Sequence, residues 1–188
     1  LIAEEVQAVE LTYEHPHGDI WFWSISVFHN QYENMIDFVY TIPVLAINRE
    51  GVTGTGLEYQ IKWRPKGKIN LLGSYSILDM TDRGEEPILY RSKHRGQINI
   101  QYQMALIDVQ LGLQAWSKQN YIDFLNYPLM PKEILPERII PELILSKKVN
   151  GFTGSLHITN LFDTDYELIQ DFPMPGQAWQ FTLTKTLN

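Results

Sequence analysis

Most of this sequence is built from runs in which apolar and polar side chains alternate with a period of two. ELTYEH, WFWSISVF, GLEYQIKW, NLLGSYSI, GQINIQYQ, VQLGLQAW, FTGSLHIT and AWQFTLTK all do so. Period two sends successive side chains to opposite faces of a strand, whereas a helix would repeat near 3.6. ELILSKKV reads as a further strand with a less clear face assignment. The spacing therefore predicts an all-β chain of about nine strands. Their connections are of two kinds that alternate strictly. HPHGD, RPKGK, MALID and KVNGF are tight, the last carrying an Asn-Gly hairpin signal. QYENMIDFVYTIP, TDRGEEPILYRSKHR, LNYPLMPKEILPERIIP and NLFDTDYELIQDFPMPG are long. In an antiparallel up-and-down sheet, this order puts every tight turn at one end and every long loop at the other.

Each strand has two unlike faces. Trp21, Trp23, Ile25 and Val27 oppose Ser24 and Ser26; Leu57, Tyr59, Ile61 and Trp63 oppose Glu58, Gln60 and Lys62. Ile98, Ile100 and Tyr102 oppose Gln97, Asn99, Gln101 and Gln103, and Val109, Leu111 and Leu113 oppose Gln110, Gly112 and Gln114. Near the end, Phe152, Leu156 and Ile158 oppose Thr153, Ser155, His157 and Thr159, while Trp179, Phe181, Leu183 and Leu187 oppose Gln180, Thr182, Thr184 and Thr186. Two architectures fit. A soluble extracytoplasmic β-barrel binding a small apolar ligand would turn the apolar faces inward and close its strand pairing within the chain. A transmembrane barrel would turn them to lipid and line a wet lumen with the polar ones. The polar faces are rich in uncharged Gln, Ser, Thr and Asn, where soluble surfaces carry more Lys and Glu. Tyr13, Trp21, Trp63, Tyr75, Tyr102, Trp116 and Trp179 sit near strand ends, the place of interfacial girdles. These features favour the membrane barrel.

Other function classes find little support. A net charge of −7 argues against a nucleic-acid partner, which needs a basic face. The absence of cysteine removes thiol catalysis, disulfides and thiolate metal sites. No stretch approaches the apolar length of a membrane helix, and LIAEEVQAVELTYEH lacks the charged and apolar regions of a secretion signal. No enzyme constellation is recognisable: Gly51-Val-Thr-Gly54 lacks the lysine of a phosphate loop. His15 and His17 have no third metal ligand at useful spacing, and Glu85-Glu86 reads as a solvated tip. The expectation is a protein that is not an enzyme and carries no cofactor. His157 is expected on the lumen face, bonded to water or to another domain. The loop 82–95 gathers Asp82, Arg83, Tyr90, Arg91, Lys93, His94 and Arg95. These could grip an anionic chelate; the simpler expectation is that they pair with one another, with a neighbouring loop or with lipopolysaccharide phosphates. The loop 124–142, with Phe124, Tyr127, Met130 and four prolines, is either a stiff apolar lip or packed on its neighbours. Arg83, Tyr90, Arg91 and Tyr127 are the candidates for contact with a ligand.

NLFDTDYELIQDFPMPGQAWQFTLTKTLN resembles the C-terminal end of TonB-dependent outer-membrane receptors, through Asn160, Leu161, Phe162, Asp163, Tyr166, Pro173, Pro175 and Gly176. Upstream, AVELTYEH, REGVTGTGLEYQIKWRP (with Gly56 and Glu58), LLGSYSILDMTD (with Ser74, Tyr75 and Asp79) and RSKHRGQINIQYQ resemble successive strands of that family. Two positions depart from it: Gln177 stands where the family has arginine, and the chain ends on Leu187-Asn188 rather than an aromatic residue. The resemblance implies an antiparallel up-and-down transmembrane β-barrel. Residues 1–188 would be its C-terminal portion, about nine strands of a larger barrel of roughly 22-stranded type. It implies a plug domain outside this chain and uptake of a scarce nutrient, a ferric siderophore or similar metal chelate, with energy from the TonB complex. Lipid and lipopolysaccharide of a Gram-negative outer membrane would surround it. The motif residues Gly56, Glu58, Asn160, Leu161, Phe162, Asp163, Pro175 and Gly176 would be structural.

Overall fold

The computed structural model describes residues 1–39, 43–65, 67–123 and 125–186, so Phe124 and Leu187-Asn188 lie outside the described residues. Nine long strands form one antiparallel sheet: β1 (Glu5–His17), β2 (Trp21–Glu33), β5 (Val52–Trp63), β6 (Ile69–Thr81), β7 (His94–Gln103), β8 (Asp108–Trp116), β11 (Arg138–Val149), β12 (Phe152–Thr159) and β15 (Ala178–Lys185). Three small hairpins sit apart from it: β3 (Met35–Val39) with β4 (Leu45–Arg49), β9 (Gln119–Ile122) with β10 (Lys132–Leu135), and β13 (Glu167–Ile169) with β14 (Phe172–Pro173). The sheet order β1-β2-β5-β6-β7-β8-β11-β12-β15 is plain up-and-down succession. Tight turns lie at one end; Asn150 and Gly151 make the tightest, both at positive φ (50° and 79°) as an Asn-Gly hairpin requires. The long loops 34–51, 82–93, 117–137 and 160–177 lie at the other.

The register aligns all the apolar faces into one continuous surface. Val27 pairs with Leu57, Leu57 with Ile77, Ile100 with Leu111, Leu111 with Leu143, Leu145 with Leu156 and Leu156 with Phe181. This surface is uncovered: Leu11 and Phe181 are 72% exposed and Trp179 64%. The sheet curves around the opposite side. A trough of about 480 Å³ runs across β5 to β11 on the polar face, lined by Gln60, Ser74, Gln97, Gln101, Gln114 and Glu142 among others. The concave side is therefore the polar one. The soluble alternative required the reverse, with closure inside the chain. Among the described residues β1 and β15 each have one strand neighbour and the sheet is open.

Several strands run further toward the long-loop end than alternation predicts. β11 starts at Arg138 rather than Glu142, β7 at His94, and β2 continues to Glu33. The reason is a change of environment along the strand. Thirteen residues span roughly 43 Å, and the band of convex apolar residues occupies only part of that length. Past the band the faces exchange character. His29, Gln31, Thr53, Thr55, Asp79 and Thr81 continue the convex face, while Phe28, Tyr32, Leu78 and Met80 continue the concave one. Gly56 belongs to this upper zone: a β-carbon there would lie 2.4 Å from the Phe28 ring and 2.5 Å from the Ile77 carbonyl, so only glycine leaves room for that ring. At the other end HPHGD is shorter as a turn than expected. His15 and His17 remain in β1, where His15 packs 5.7 Å from Trp23 as part of the aromatic edge.

Candidate functional site

Two surfaces can meet a solute: the concave polar wall and the long-loop cluster above it. On the wall, uncharged amides bridge neighbouring strands. Asn70 Nδ2 donates to Gln101 Oε1 (3.1 Å), and Gln101 Nε2 donates to Gln110 Oε1 (3.1 Å). Glu142 lies flat across Gly112, which has no side chain to displace it, and meets His157 Nε2 at 3.1 Å. His157 thus has a partner within the chain, a neighbouring-strand carboxylate, rather than only water or another domain. Such a wall offers many uncharged hydrogen-bonding groups.

The first three long loops are tied together. Arg49, at the end of β4, donates from Nε to Asp37 (2.8 Å) and from Nη1 to Asp82 of the next loop (2.8 Å). Asp82 also accepts the backbone N–H of Gly84 (2.9 Å) and Glu86 (3.1 Å). Lys132 pairs with Glu86, and the Tyr90 N–H donates to the Asn120 carbonyl (2.9 Å), joining the second loop to the third. Val52, Ile88, Tyr121 and Leu135 are buried beneath these ties. Glu85 and Glu86 are exposed, as a solvated tip would be, with Glu86 paired to Lys132.

The Arg49–Asp82 tie has a defined pH response. Burial pushes the Asp82 carboxyl up, but the N–H groups of Glu86 and Gly84 and the Arg49 guanidinium outweigh it, leaving its pKa below the ordinary 3.8. With the folded value depressed, the ionised carboxylate stabilises the loops at every pH above the ordinary value. That contribution fades only as pH falls through the lowered one. Amide exchange at Gly84 and Glu86, corrected for intrinsic rates, is expected to stay slow at pH 5 and to accelerate only below about 3.8. Loss of protection already at pH 5 would show that Asp82 does not hold this seam.

The four residues singled out for ligand contact are distributed over two long loops, Arg83, Tyr90 and Arg91 on the second and Tyr127 on the third. Arg83 is exposed and pairs with Glu50 (3.3 Å) at the first seam. Tyr90 is half-buried at the second seam, its ring 6.5 Å from Tyr121 and its carbonyl accepting from Gln119 Nε2. Arg91 is exposed. Tyr127 stands at the tip of the third loop with Leu125 and Leu129, which are each 78% exposed. Of the other charges in 82–95, Lys93 pairs with Asp79 (2.8 Å), His94 bonds Tyr75 (2.8 Å) and Arg95 lies over Trp116. Most of this cationic-aromatic set is thus engaged within the chain. Sequence reading missed Arg49 and Arg138, which organise the loops; the short alternating runs MIDFV and LAINR were the available signal for the hairpin that carries Arg49.

The corner that opens the last long loop is a compact hydrogen-bonded unit. Asn160 is only 3% exposed and left-handed (φ 48°). Its amide donates to the carbonyls of Thr164 (2.9 Å) and Pro175 (3.3 Å), and its Oδ1 accepts the Thr164 N–H (2.9 Å). Leu161 N–H reaches the Pro141 carbonyl on β11, while Phe162 is exposed. Asp163 Oδ1 accepts the Gln177 N–H (2.6 Å), and at Gly176 a β-carbon would come within 2.6 Å of that same oxygen. Gln177 donates to the Leu161 carbonyl (2.8 Å) and accepts from Trp179 Nε1 (2.9 Å). Glutamine thus keeps this position bonded without an ion pair. Glu58 stands on the concave face, opposite Ser26 and Ser76.

Comparison with known proteins agrees with this geometry. The sequence profile of the family described as "TonB dependent receptor-like, beta-barrel" matches residues 1–172. Among solved structures, the chain is similar to the ferric-catecholate import receptor Fiu of E. coli K12 (TM-score 0.79, 17% identity), covering 96% of this chain and 27% of that one. It is also similar to the ferripyoverdine receptor of the outer membrane of Pseudomonas aeruginosa (TM-score 0.80, 16% identity, 96% and 27% covered). A third is the copper transporter OprC (TM-score 0.77, 14% identity, 96% and 30% covered). The chain spans less than a third of the length of each.

Proposed function

The chain belongs to the TonB-dependent receptor-like β-barrel family, and from that premise we propose that it is the C-terminal barrel portion of an outer-membrane receptor. On this reading the whole protein takes up a scarce nutrient, a ferric siderophore or similar metal chelate, with energy from the TonB complex acting through a plug domain. The observation that carries it is the uncovered apolar surface that runs unbroken over nine strands on the convex side. Only lipid suits so wide a surface, because exposed apolar patches on soluble monomers rarely exceed a few hundred Å². The amide-rich concave wall suits a hydrated passage and the docking of a plug. The tied long loops suit the outer, ligand-capturing side, where function concentrates on loops carried by a rigid scaffold. Exposed Arg91, with Arg83 beside its Glu50 partner, offers positive charge to an anionic chelate or to lipopolysaccharide phosphates. Fiu and the ferripyoverdine receptor support iron chelates as the substrate class.

Deleting the gene for the whole protein tests this reading in iron-starved cells of the native host. Uptake of radiolabelled iron bound to catecholate, hydroxamate or mixed chelators is expected to fall at least about tenfold for one class, and equally in cells lacking a working TonB complex. Unchanged uptake of every chelate would sink the proposed substrate class. Uptake that persists without the TonB complex would sink the energy coupling.

A further inference from the structure

The third and fourth long loops meet differently from the others. Among the described residues no hydrogen bond or ion pair joins 117–137 to 160–177; a cavity of about 400 Å³ separates them. Leu135, Tyr166 and Met174 contribute to its walls, and Arg138 lines it from the first position of β11. Arg138 is 95% buried, with 5% exposure remaining. Its Nη2 donates to Gln119 Oε1 (3.2 Å) and its guanidinium lies 5.1 Å from the centre of the Trp116 ring. Nε and Nη1, which carry three of its five N–H donors, are buried without a hydrogen-bond partner among the described residues. A buried guanidinium left in that state is strongly unfavourable unless an anion completes it.

The cavity already contains acids, yet they do not complete it. Glu137, Asp165 and Glu167 line the same space, and none forms an ion pair with Arg138. Glu137 and Asp165 are exposed and Glu167 half-buried, so the negative charge lies toward the mouth and the positive charge at depth. Glu167 also acts on the Tyr121 phenol, as the last and smallest of several causes. Burial first, then Asp123, Glu133, Asp171 and Glu167, hold its pKa above the ordinary value. A simple anion would be attracted by the floor and repelled at the mouth. A ligand carrying both charges would meet its complement at each end.

We propose that this cavity binds a small zwitterionic carboxylic acid, with its carboxylate on Arg138 and its ammonium group among Glu137, Asp165 and Glu167. Leu135, Tyr166 and Met174 pack its carbon chain, and the volume suits a molecule of amino-acid to dipeptide size. The inference rests on the reading of the long loops as the solute-facing side, but not on energised uptake.

The test is calorimetric titration of the whole protein in detergent micelles at low salt, with 6-aminohexanoate, hexanoate and hexylamine as probes. Saturable binding of 6-aminohexanoate is expected, at least about tenfold tighter than either single-charge probe. Arg138→Gln should abolish it, and Arg138→Lys should restore part of it. Because Arg138 is buried, the exposed pair Glu137→Gln with Asp165→Asn gives a second arm. It should weaken 6-aminohexanoate several-fold and leave or strengthen hexanoate. Equal binding of hexanoate and 6-aminohexanoate overturns the proposal, as does unaltered binding by folded Arg138→Gln. Failure of all three probes to bind overturns it too, including the case in which a carboxylate from the rest of the protein already sits on Arg138. Failed chelate uptake with intact 6-aminohexanoate binding would count against the transport reading alone.

Discussion

Leu111→Arg is expected to lower the stability of the membrane-inserted protein by about 2–4 kcal/mol, the cost of a cation at the lipid-facing midplane of a barrel. Leu111 lies at the centre of β8 on the convex face, between Ile100 and Leu143, and is 46% exposed. Two controls separate lipid contact from a simple loss of packing. Gln114→Arg changes a residue on the same strand that lines the concave trough, and should stay within about 0.5 kcal/mol because its side chain meets water or polar neighbours. Thr55→Arg adds the same charge on the convex face beyond the apolar zone, where the cost should fall to about 0–1 kcal/mol. Denaturant titration of the whole protein in lipid vesicles measures all three. An apolar face packed inside a soluble barrel would make Leu111→Arg costly in detergent-free buffer, with no dependence on lipid. Equal costs at Leu111 and Gln114 would remove the assignment of faces altogether.

The middle of each strand was legible because two unlike faces, one apolar and one polar, impose period two residue by residue. WFWSISVF and GLEYQIKW carry their faces openly, and Val27 opposite Leu57 follows from them once neighbours pair. Legibility ended where that contrast ended. Beyond the band, Phe28 and Met80 turn inward while Thr55 and Asp79 turn outward, so the last residues of β2 and β6 and the first of β5 no longer alternate in the expected sense. The small hairpins were hidden for the same reason: β3 and β4 form a separate two-stranded sheet outside the main one. The loop ties were hidden for a different one. Arg49 and Asp82 are thirty-three residues apart, and Lys132 and Glu86 forty-six. No local pattern signals a contact made through tertiary closure. Arg138 is the clearest case. In sequence it is one charge at the start of a strand; in the fold it is a buried cation beside a cavity.

Asn160→Ala is the second change expected to have a large effect, about 2–4 kcal/mol, with the damage concentrated at β15. Two causes add. The substitution leaves the part-buried Thr164 N–H and the Thr164 and Pro175 carbonyls without their partner, and with water reaching them in part the three together cost about 1–2 kcal/mol. It also forces alanine into a left-handed backbone at φ 48°, a strain of about 1–2 kcal/mol. Asn160→Gly removes the second cause and keeps the first, so it should recover roughly 1 kcal/mol of the loss. The corner matters to the sheet because it grips both ends of the last long loop. Leu161 is fixed to Pro141 on β11, and Pro175 to Gln177 are drawn back onto Asn160, Asp163 and Leu161. This delivers Ala178 opposite Thr159, which sets the register of β15 on β12 through Lys185. With the corner loosened, amide protection at Gln180 and Thr182 should fall in the whole protein while that of β8 holds. Unchanged protection in β15, with stability within about 0.5 kcal/mol of the parent, would mean that Trp179, Phe181 and Leu183 hold the strand by lipid contact alone.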